Sequence, residues 1–453
     1  MAKVIKQNEA PMQLAVINQN TAAIDIGSML MMVSFTDADG KNYLLETDGF
    51  TESINELART LKQASVTHVA MEATGVYWMA LYDVLEKHGL IVTLINPRHF
   101  KNVDAQKTDV KDCQWIHQMH AHGLLKASHI APEIYRELKT YLHEREVMQK
   151  QKSDTLNRIH RQLTLMNIKV QHLISDIEGV SGMKLIRGIA TGEQDPAILL
   201  SLIDVRRLKA TEEELLESLK GIYKKQHVIV LNRLLKAYDF FKDEMKQYES
   251  LVEEVLDKML PVDQHGKKPI IKKKTAHVRK NQYSINLKGY LENILGTDAT
   301  AIEGLDETSI LTIIAVTGID MSKWRTAEHF VSWLNLCARP KISGGKTLGH
   351  QKRFTNNAAT QAFRVAAQAM WNNKGPLGHF YRRMASKDSR KAVKAVARKL
   401  AIIFYNVVKN KSEYDRSKLE SNEEQRKRQQ IKRLTKMARN YGFELQEVRT
   451  TSL

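Results

Sequence analysis

The sequence predicts a mixed α/β domain over its first 128 residues and an all-helical remainder, and three observations support this. Residues 21–128 alternate short apolar runs with helical periods, which is typical of a sheet covered by helices. From residue 133 to about 177 the pattern becomes one long polar helix with a narrow apolar stripe. The charge changes sign at the same place, because residues 1–128 hold 11 Lys/Arg and 14 Asp/Glu whereas the rest holds 58 and 37.

Five short apolar runs predict the strands of the α/β domain. The first three cover 21–26, 29–35 and 43–45, and the turn residues Asp37-Ala-Asp-Gly40 indicate that they are linked as hairpins. Helical periods then alternate with two more strands, which completes a mixed sheet. The remaining strands are predicted at 68–71 and 90–95, and the helices at 53–64, 76–88 and 109–125.

Long amphipathic helices dominate the middle of the chain. The apolar stripe over 133–177 is too narrow for a lone helix, so we expect a coiled coil formed within the chain or between chains. Helices over 210–219 and 228–260 follow, and the second is long enough to return along the first. Residues 264–280 then carry seven Lys/Arg and no Asp/Glu, and we name this segment the basic arm.

The C-terminal part is predicted to be helical on both sides of a loop. Residues 305–336 are helical with punctuation at Gly318 and Asp320, and a loop rich in Gly and Lys follows at 341–349. An Ala-rich helix and a final helix with one basic face come next. We divide the chain into a flexible N-terminus (1–20), the α/β domain (21–128), a coiled-coil middle region with the basic arm (129–300), a C-terminal domain (301–410) and a charged helical tail (411–453).

Composition restricts the classes of function. Two cysteines, Cys113 and Cys337, exclude a disulfide framework, and no apolar run approaches the length of a membrane span. The first twenty residues lack an apolar secretory core, so we expect a cytoplasmic protein. The net charge is +18, and residues 331–410 hold 16 basic residues against the single acid Asp388. Such an excess predicts a face that binds a polyanion, although a solvated basic surface is the simpler alternative.

Four acids lie at predicted strand ends and at one helix start. Asp25 sits inside the first strand, Glu72 ends the fourth, and Asp109 and Asp112 share one face of a helix. Asp109 could merely favour the helix dipole and Glu72 could be a surface residue, but a carboxylate within an apolar strand needs a partner. A divalent cation would offset their repulsion, and Mg²⁺ suits a phosphate substrate. This order of acids is the pattern of the ribonuclease-H-like fold.

Other candidates give weaker signals. Ser343 stands beside Gly344 and Gly345 in a basic loop that could approach a phosphate or could be a flexible turn. The segment 317–320 could be a helix-hairpin-helix or an ordinary helical corner. Two further sets are interpreted as structural: His117, His120 and His122 as surface helix residues, and Trp324, Trp333 and Trp371 as core residues.

Several short motifs, in order, resemble the transposases of insertion-sequence family 110. The resemblance covers residues from about 21 to 408. It rests on Ala23-Ile-Asp-Ile-Gly27, Glu72-Ala-Thr-Gly-Val-Tyr-Trp78, Asn96-Pro-Arg98, Lys107-Thr-Asp-Val-Lys-Asp112, Ser175-Asp-Ile-Glu-Gly-Val-Ser-Gly182, Ser332-Trp-Leu-Asn-Leu336, Ser343-Gly-Gly-Lys346, Leu377-Gly-His-Phe-Tyr-Arg-Arg383 and Ala397-Arg-Lys-Leu-Ala401. Two departures are Cys113, where a small residue such as Ala is expected, and Ser343 as the only serine of its loop.

The resemblance implies a RuvC-like (ribonuclease H fold) domain with a Mg²⁺ site formed by Asp25, Glu72, Asp109 and Asp112, and a C-terminal transposase domain whose nucleophile is Ser343. It further implies recombination of target and donor double-stranded DNA guided by a noncoding bridge RNA, in a tetramer whose active sites are shared between subunits. We expect a nucleoid-associated protein. Predicted nucleic-acid contacts are Arg98, Lys107, Lys346, Lys352, Arg353, Arg364, Arg382, Arg383, Lys391, Lys394 and Arg398.

Two alternatives remain open from the sequence. A structure-specific nuclease or junction resolvase would use the four acids with a metal-activated water in place of Ser343. A nucleic-acid packaging protein would explain the basic charge but not four acids on an acidic domain.

Overall fold

The computed structural model describes residues 15–73, 75–96, 108–274, 280–337, 340–350 and 357–446. The chain divides into two compact units, Met1–Ile130 and Ala131–Leu453. The first holds a five-stranded sheet and the second is almost entirely helical, which confirms the predicted fold class. In the part of the chain that is described, no helix is long and apolar enough to cross a membrane.

The sheet of the first unit has the order β3-β2-β1-β4-β5. The strands β1, β2 and β3 are antiparallel neighbours, whereas β4 runs parallel to β1 and β5 runs parallel to β4. The strands are β1 (Thr21–Ile26), β2 (Leu30–Thr36), β3 (Asn42–Asp48), β4 (His68–Glu72) and β5 (Ile91–Ile95), and the helices are α1 (Thr51–Gln63), α2 (Trp78–Lys87) and α3 (Asp109–Ala121).

The two faces of this sheet are packed differently. One face carries Ile24 and Met71 in a large apolar cluster with residues of α1 and α2. The other face carries the small residues Ala23 and Ala70, against which α3 packs through Cys113. Because side chains alternate along a strand, Asp25 lies on the same face as Ala23, which is the face that α3 covers.

The interpretation of the helix histidines as surface residues is wrong for two of them. His117 and His120 are 6% and 4% exposed, because their side of α3 packs on the sheet. The His117 Nδ1 atom lies 2.9 Å from the Ser34 hydroxyl. Burial lowers the pKa of His117, and burial together with the neighbouring imidazoles lowers the pKa of His120 to about 4. Both side chains are therefore neutral structural groups near pH 7.

In the second unit, two long antiparallel helices form the predicted coiled coil within the chain. They are α4 (Glu133–Leu165) and α8 (Lys225–Met259). The first ends earlier than predicted, because Asn167 takes a left-handed backbone conformation (φ 56°) and the next apolar residues turn into the core. The helices between them are α5 (Val180–Ala190), α6 (Pro196–Ser201) and α7 (Glu212–Leu219), of which α5 and α6 were not predicted.

The C-terminal helices pack around one aromatic core with Phe330, Phe363 and Phe404 at its centre. Leu138 of α4 belongs to the same cluster, so the predicted middle region and C-terminal domain share a core. The helices are α9 (Leu287–Leu295), α10 (Glu307–Thr317), α11 (Ala327–Trp333), α12 (Ala358–Ala369), α13 (Pro376–Ala385), α14 (Ser389–Asn410) and α15 (Ser417–Asn440), of which α9 and α13 were not predicted.

Two predictions for this region need correction: the loop at 341–349 and the burial of Trp371. The expected loop at 341–349 is a β-hairpin of β6 (Pro340–Ser343) and β7 (Lys346–His350). Trp371 is 55% exposed and is not a core residue, whereas Trp324 is buried. Around Gly318, α10 ends at Thr317 and a short 3-10 helix follows at Met321–Lys323.

A buried ionic network joins the coiled coil to the chain that follows the basic arm. The guanidinium of Arg145 on α4 lies 2.6 Å from the carboxylate of Glu249 on α8, and both side chains are almost completely buried. Arg145 also donates to the Asn281 carbonyl and stacks over the ring of Tyr283. The second carboxylate oxygen of Glu249 accepts from the amide of Ser284 at 2.9 Å. Because its polar groups are paired, the network fixes the register of the coil and the course of residues 281–284.

Removing one partner of this pair should destabilise the helical unit strongly. We expect Glu249→Ala to lower the free energy of unfolding by about 3 to 5 kcal/mol, because it leaves the buried Arg145 charge uncompensated. Removing both charges, with Arg145→Met and Glu249→Leu, should recover much of the loss. Urea unfolding followed by circular dichroism measures the change.

The matched control is Lys258→Ala, which breaks an exposed ion pair with Glu137 on the same two helices. It should change the free energy of unfolding by no more than about 1 kcal/mol. Equal losses of unfolding free energy in Glu249→Ala and Lys258→Ala would show that the buried network contributes no more to stability than the exposed ion pair.

Candidate active site

Two of the four acids lie side by side at one edge of the sheet. The parallel pairing of β1 with β4 places Ile24 opposite Met71. The next residues along these strands are Asp25 and Glu72, both half-buried, and Glu72 is the last residue of its strand. They therefore lie together where the two parallel strands end, which is the edge at which α/β sheets bind their ligands.

The other two acids occupy the first turn of α3. Asp109 and Asp112 are exposed there, and the Thr108 hydroxyl caps the helix by accepting from the amide of Lys111. The Cys113 thiol donates to the carbonyls of Ala23 and Met32, at 3.3 and 3.1 Å. These contacts hold the start of α3 against β2 and against β1, the strand that carries Asp25.

The electrostatics show that the four acids share one neighbourhood. Burial raises the pKa of Asp25 from its ordinary value of 3.8 to about 6, and the charges of Glu72, Asp109 and Asp112 each add to the rise. The Cys113 thiol is neutral, because burial raises its pKa to about 12. The ionisation of Asp25 is therefore opposed by its burial and by the three neighbouring acids.

The donor set suits a hard cation. Carboxylate oxygens are the ligands that Mg²⁺ prefers in proteins, and a positive ion would relieve the repulsion that raises the pKa of Asp25. Within the described ranges, no three His, Cys, Asp or Glu side chains are drawn together as a ready-made metal site. The four carboxylates suit a divalent cation in their chemistry and their charge. Their oxygen atoms are not already gathered into a coordination shell.

Ser343 belongs to the second unit and occupies the end of a hairpin strand. It is the last residue of β6, is exposed and pairs with Lys346. Gly344 and Gly345 form the two-residue turn, with φ of 54° and 72°, a conformation that glycine adopts without strain. The turn residues that suggested a flexible loop therefore make a defined hairpin, which presents the serine hydroxyl beside a lysine.

The structure distinguishes among the predicted nucleic-acid contacts. Arg382 is half-buried and donates to the carbonyls of Trp371 and Asn373, both at 2.8 Å, so its guanidinium is engaged within the fold. Lys391 pairs with Asp388 at 3.5 Å but stays largely exposed. Lys394 is half-buried, and the exposed members are Lys346, Arg364, Arg383 and Arg398. Arg98, Lys107, Lys352 and Arg353 lie outside the described residues.

Sequence reasoning missed a cation–aromatic cluster beside this basic face. The Lys399 ammonium of α14 lies 4.3 Å from the centre of the Phe380 ring, and the Arg383 guanidinium lies 5.4 Å from it. Arg383 and Phe380 are three residues apart on α13, a spacing that places them on one helix face and could have signalled their contact.

Two family models match segments of the chain. The DEDD transposase model of the IS110 family, described as Transposase, matches residues 22–168, which include all four acids. The model described as Transposase IS116/IS110/IS902 family matches residues 298–382, which include the hairpin with Ser343. The fold and these matches define a DNA transposase, an enzyme that recombines DNA.

The two matched segments together span more than half of the chain, and the chain belongs to the IS110 family of transposases. A search of the curated proteins finds no match. DEDD transposase domains are typically metal-dependent, which agrees with the oxygen-rich donor set.

The raised pKa of Asp25 predicts a pH-dependent stability. Between about pH 4 and about pH 6 the folded chain keeps a proton that the unfolded chain has released, so stability must fall as the pH rises through this window. Asp25→Asn cannot ionise. Without divalent ions it should gain about 1 kcal/mol over wild type between about pH 4 and about pH 7, after allowance for the partial exposure of Asp25.

Thermal unfolding in the presence of a chelator measures this difference. Glu56→Gln, an exposed change on α1 of the same unit, is the control and should follow the wild-type curve. Parallel curves for wild type and Asp25→Asn across the whole range would contradict the raised pKa.

Proposed function

We propose that this transposase cuts and rejoins DNA through a covalent phosphoserine at Ser343, in a Mg²⁺-dependent site formed by Asp25, Glu72, Asp109 and Asp112. The observation that carries the proposal is the convergence of three acidic charges on Asp25, together with its raised pKa. An apolar strand gives Asp25 no structural reason to be acidic, and the charges of Glu72, Asp109 and Asp112 oppose its ionisation.

The four acids would hold the cation and present it to the scissile phosphate. The bound Mg²⁺ would supply a positive charge that stabilises the negative charge developing on the phosphoryl oxygens. Asp25 and Glu72 belong to the rigid sheet, whereas Asp109 and Asp112 belong to the start of a helix fixed by Cys113. Such support keeps the ligands in a constant geometry.

Ser343 would be the nucleophile. Its hydroxyl would lose a proton as the oxygen forms a bond to phosphorus. The bond from phosphorus to the departing deoxyribose oxygen would break, and that oxygen would accept a proton and leave as a hydroxyl. The phosphodiester energy is retained in the serine ester, so the end can be transferred to another strand without ATP. The exposed position of Ser343 at the tip of a hairpin and the adjacent Lys346 support this role.

The remaining parts of the proposal concern assembly and partners. The acidic first unit would complete its site with the basic C-terminal domain of a neighbouring subunit in a tetramer. Exposed Arg364, Arg383 and Arg398 would neutralise the backbone phosphates of target and donor DNA, and a bridge RNA would specify both sites by base pairing. The protein would work at the nucleoid. Support for the RNA comes from the family resemblance alone.

One observation favours a second candidate function. All four acids lie in the first unit, so a junction resolvase that hydrolyses DNA with a metal-activated water would need nothing from Ser343. The two functions differ in whether a protein–DNA adduct forms.

The test is the fate of the adduct in Ser343→Ala. We expect wild type with Mg²⁺ and element-end DNA to give a covalent complex, detectable as a band of reduced mobility under denaturing conditions. Ser343→Ala should lose this complex and lose strand exchange by at least about 10³-fold, because no other group replaces the nucleophile.

The matched control is Thr347→Ala, which removes a neighbouring exposed hydroxyl from the opposite hairpin strand and should retain the adduct. Chelation of Mg²⁺ should abolish the adduct in every variant. Cleavage that persists in Ser343→Ala without any adduct would favour the resolvase and overturn the serine mechanism.

A further inference from the structure

The basic arm contains two kinds of lysine that its sequence does not distinguish. The arm connects α8 to α9, and the structure describes its residues 264–274 together with Lys280. Some of these lysines bind to groups of the fold and others do not. The difference indicates what the arm is for.

Three lysines are bound within the fold. The ammonium group of Lys268 donates to the carbonyl of Asp257 at 2.6 Å. That of Lys274 donates to the carbonyl of Tyr283 at 3.2 Å and lies 3.8 Å from Glu307. Lys280 pairs with the buried carboxylate of Glu178. These contacts leave the three ammonium groups little freedom to bind another molecule.

The backbone of residues 264–274 is held as well, although this described part of the arm has no regular secondary structure. The Asp263 carboxylate accepts from the amides of His265 and Lys267, both at 2.8 Å, which closes a turn at the start of the arm. Ile271 packs against the helical core. The Lys272 carbonyl accepts from the side chain of Asn286 at 2.8 Å. Residues 264–274 therefore follow a defined path along the surface.

Three lysines remain on this fixed path: Lys267, Lys272 and Lys273. All three are exposed, and none forms an ion pair with any acid in the described part of the chain. The acid closest in sequence, Asp263, is already engaged by the amides of His265 and Lys267, and Asp257 accepts from the Tyr290 hydroxyl at 3.0 Å. The lysines thus do not serve to balance the charge of α8.

We propose that Lys267, Lys272 and Lys273 form a binding site for the sugar-phosphate backbone of nucleic acid. Lysine binds phosphate as a mobile point charge, and a backbone that is already ordered reduces the entropy lost on binding. Nucleic acid fits better than an acidic protein surface, because the chain is a DNA transposase and carries a large positive charge. The inference rests on the family's action on DNA and is independent of the serine mechanism.

The test compares two sets of substitutions within the arm. Full-length Lys267→Gln/Lys272→Gln/Lys273→Gln is the test variant, and Lys268→Gln/Lys274→Gln is the control. Both are made in the Ser343→Ala background and measured without divalent ions, so that failure of the proposed cleavage chemistry cannot affect the result. The probes are a fluorescein-labelled DNA duplex and a labelled RNA stem-loop, titrated by fluorescence anisotropy at several salt concentrations.

We expect the test variant to bind on the order of ten-fold more weakly near physiological salt. The slope of log Kd against log salt should fall by about one for each phosphate that the arm no longer neutralises. The control should keep the affinity and the slope while its thermal unfolding midpoint falls. A weaker affinity for the duplex alone assigns the site to DNA, and a weaker affinity for the stem-loop alone assigns it to RNA. Unchanged binding of both probes, or an equal weakening in the control, would overturn the proposal.

Discussion

The repulsion among four carboxylates around Asp25 is the constraint on which the first unit depends. Burial raises the pKa of Asp25, and the charges of Glu72, Asp109 and Asp112 near the same sheet edge raise it further. The surrounding structure holds the charges together nonetheless. Ala23 and Ala70 leave room for α3 to approach, and the buried Cys113 thiol binds the helix to two strands. The unfavourable environment of Asp25 lowers the stability of the fold, and a bound cation would offset this loss. A loss of stability of this kind is usual where a fold is organised for function.

Much of this arrangement could be predicted from the sequence, because strand and helix periods in the first unit are clear. The first strand has the predicted bounds, and Asp25 stands out in the sequence as an acid that an apolar strand does not explain. The hairpin that carries Ser343 could not be predicted because two glycines also suit a flexible loop. The strand pairing on both sides of the turn, such as Ile342 with Thr347, distinguishes the two. The burial of His117 escapes prediction for a related reason. Its partner Ser34 is 83 residues away in the sequence, and the pattern of residues around His117 does not predict such a long-range contact.

Charge in the second unit is organised by pairing, in contrast to the like charges that surround Asp25 in the first unit. Arg145 and Lys152 are buried and paired, and they order the coiled coil. Arg382 caps backbone carbonyls at the end of a helical turn, so a residue predicted to contact DNA also has a structural role. The number of basic residues gives the sign and size of the electrostatic field. It does not show which Lys and Arg side chains are free to bind a ligand. That distinction requires the contacts of each side chain, and it separates positions that stabilise the fold from positions available to a polyanion.

The central claim is that the acids of one subunit and the serine of another act on the same phosphodiester. Mixing two inactive proteins, Asp25→Asn and Ser343→Ala, tests it most directly. Each variant retains one half of the site, so a mixed assembly can form intact sites from the Asp25 of one subunit and the Ser343 of its neighbour. The account predicts that strand exchange, absent from either protein alone, returns when they are mixed. Mixtures that assemble on DNA but stay inactive at every ratio would contradict it.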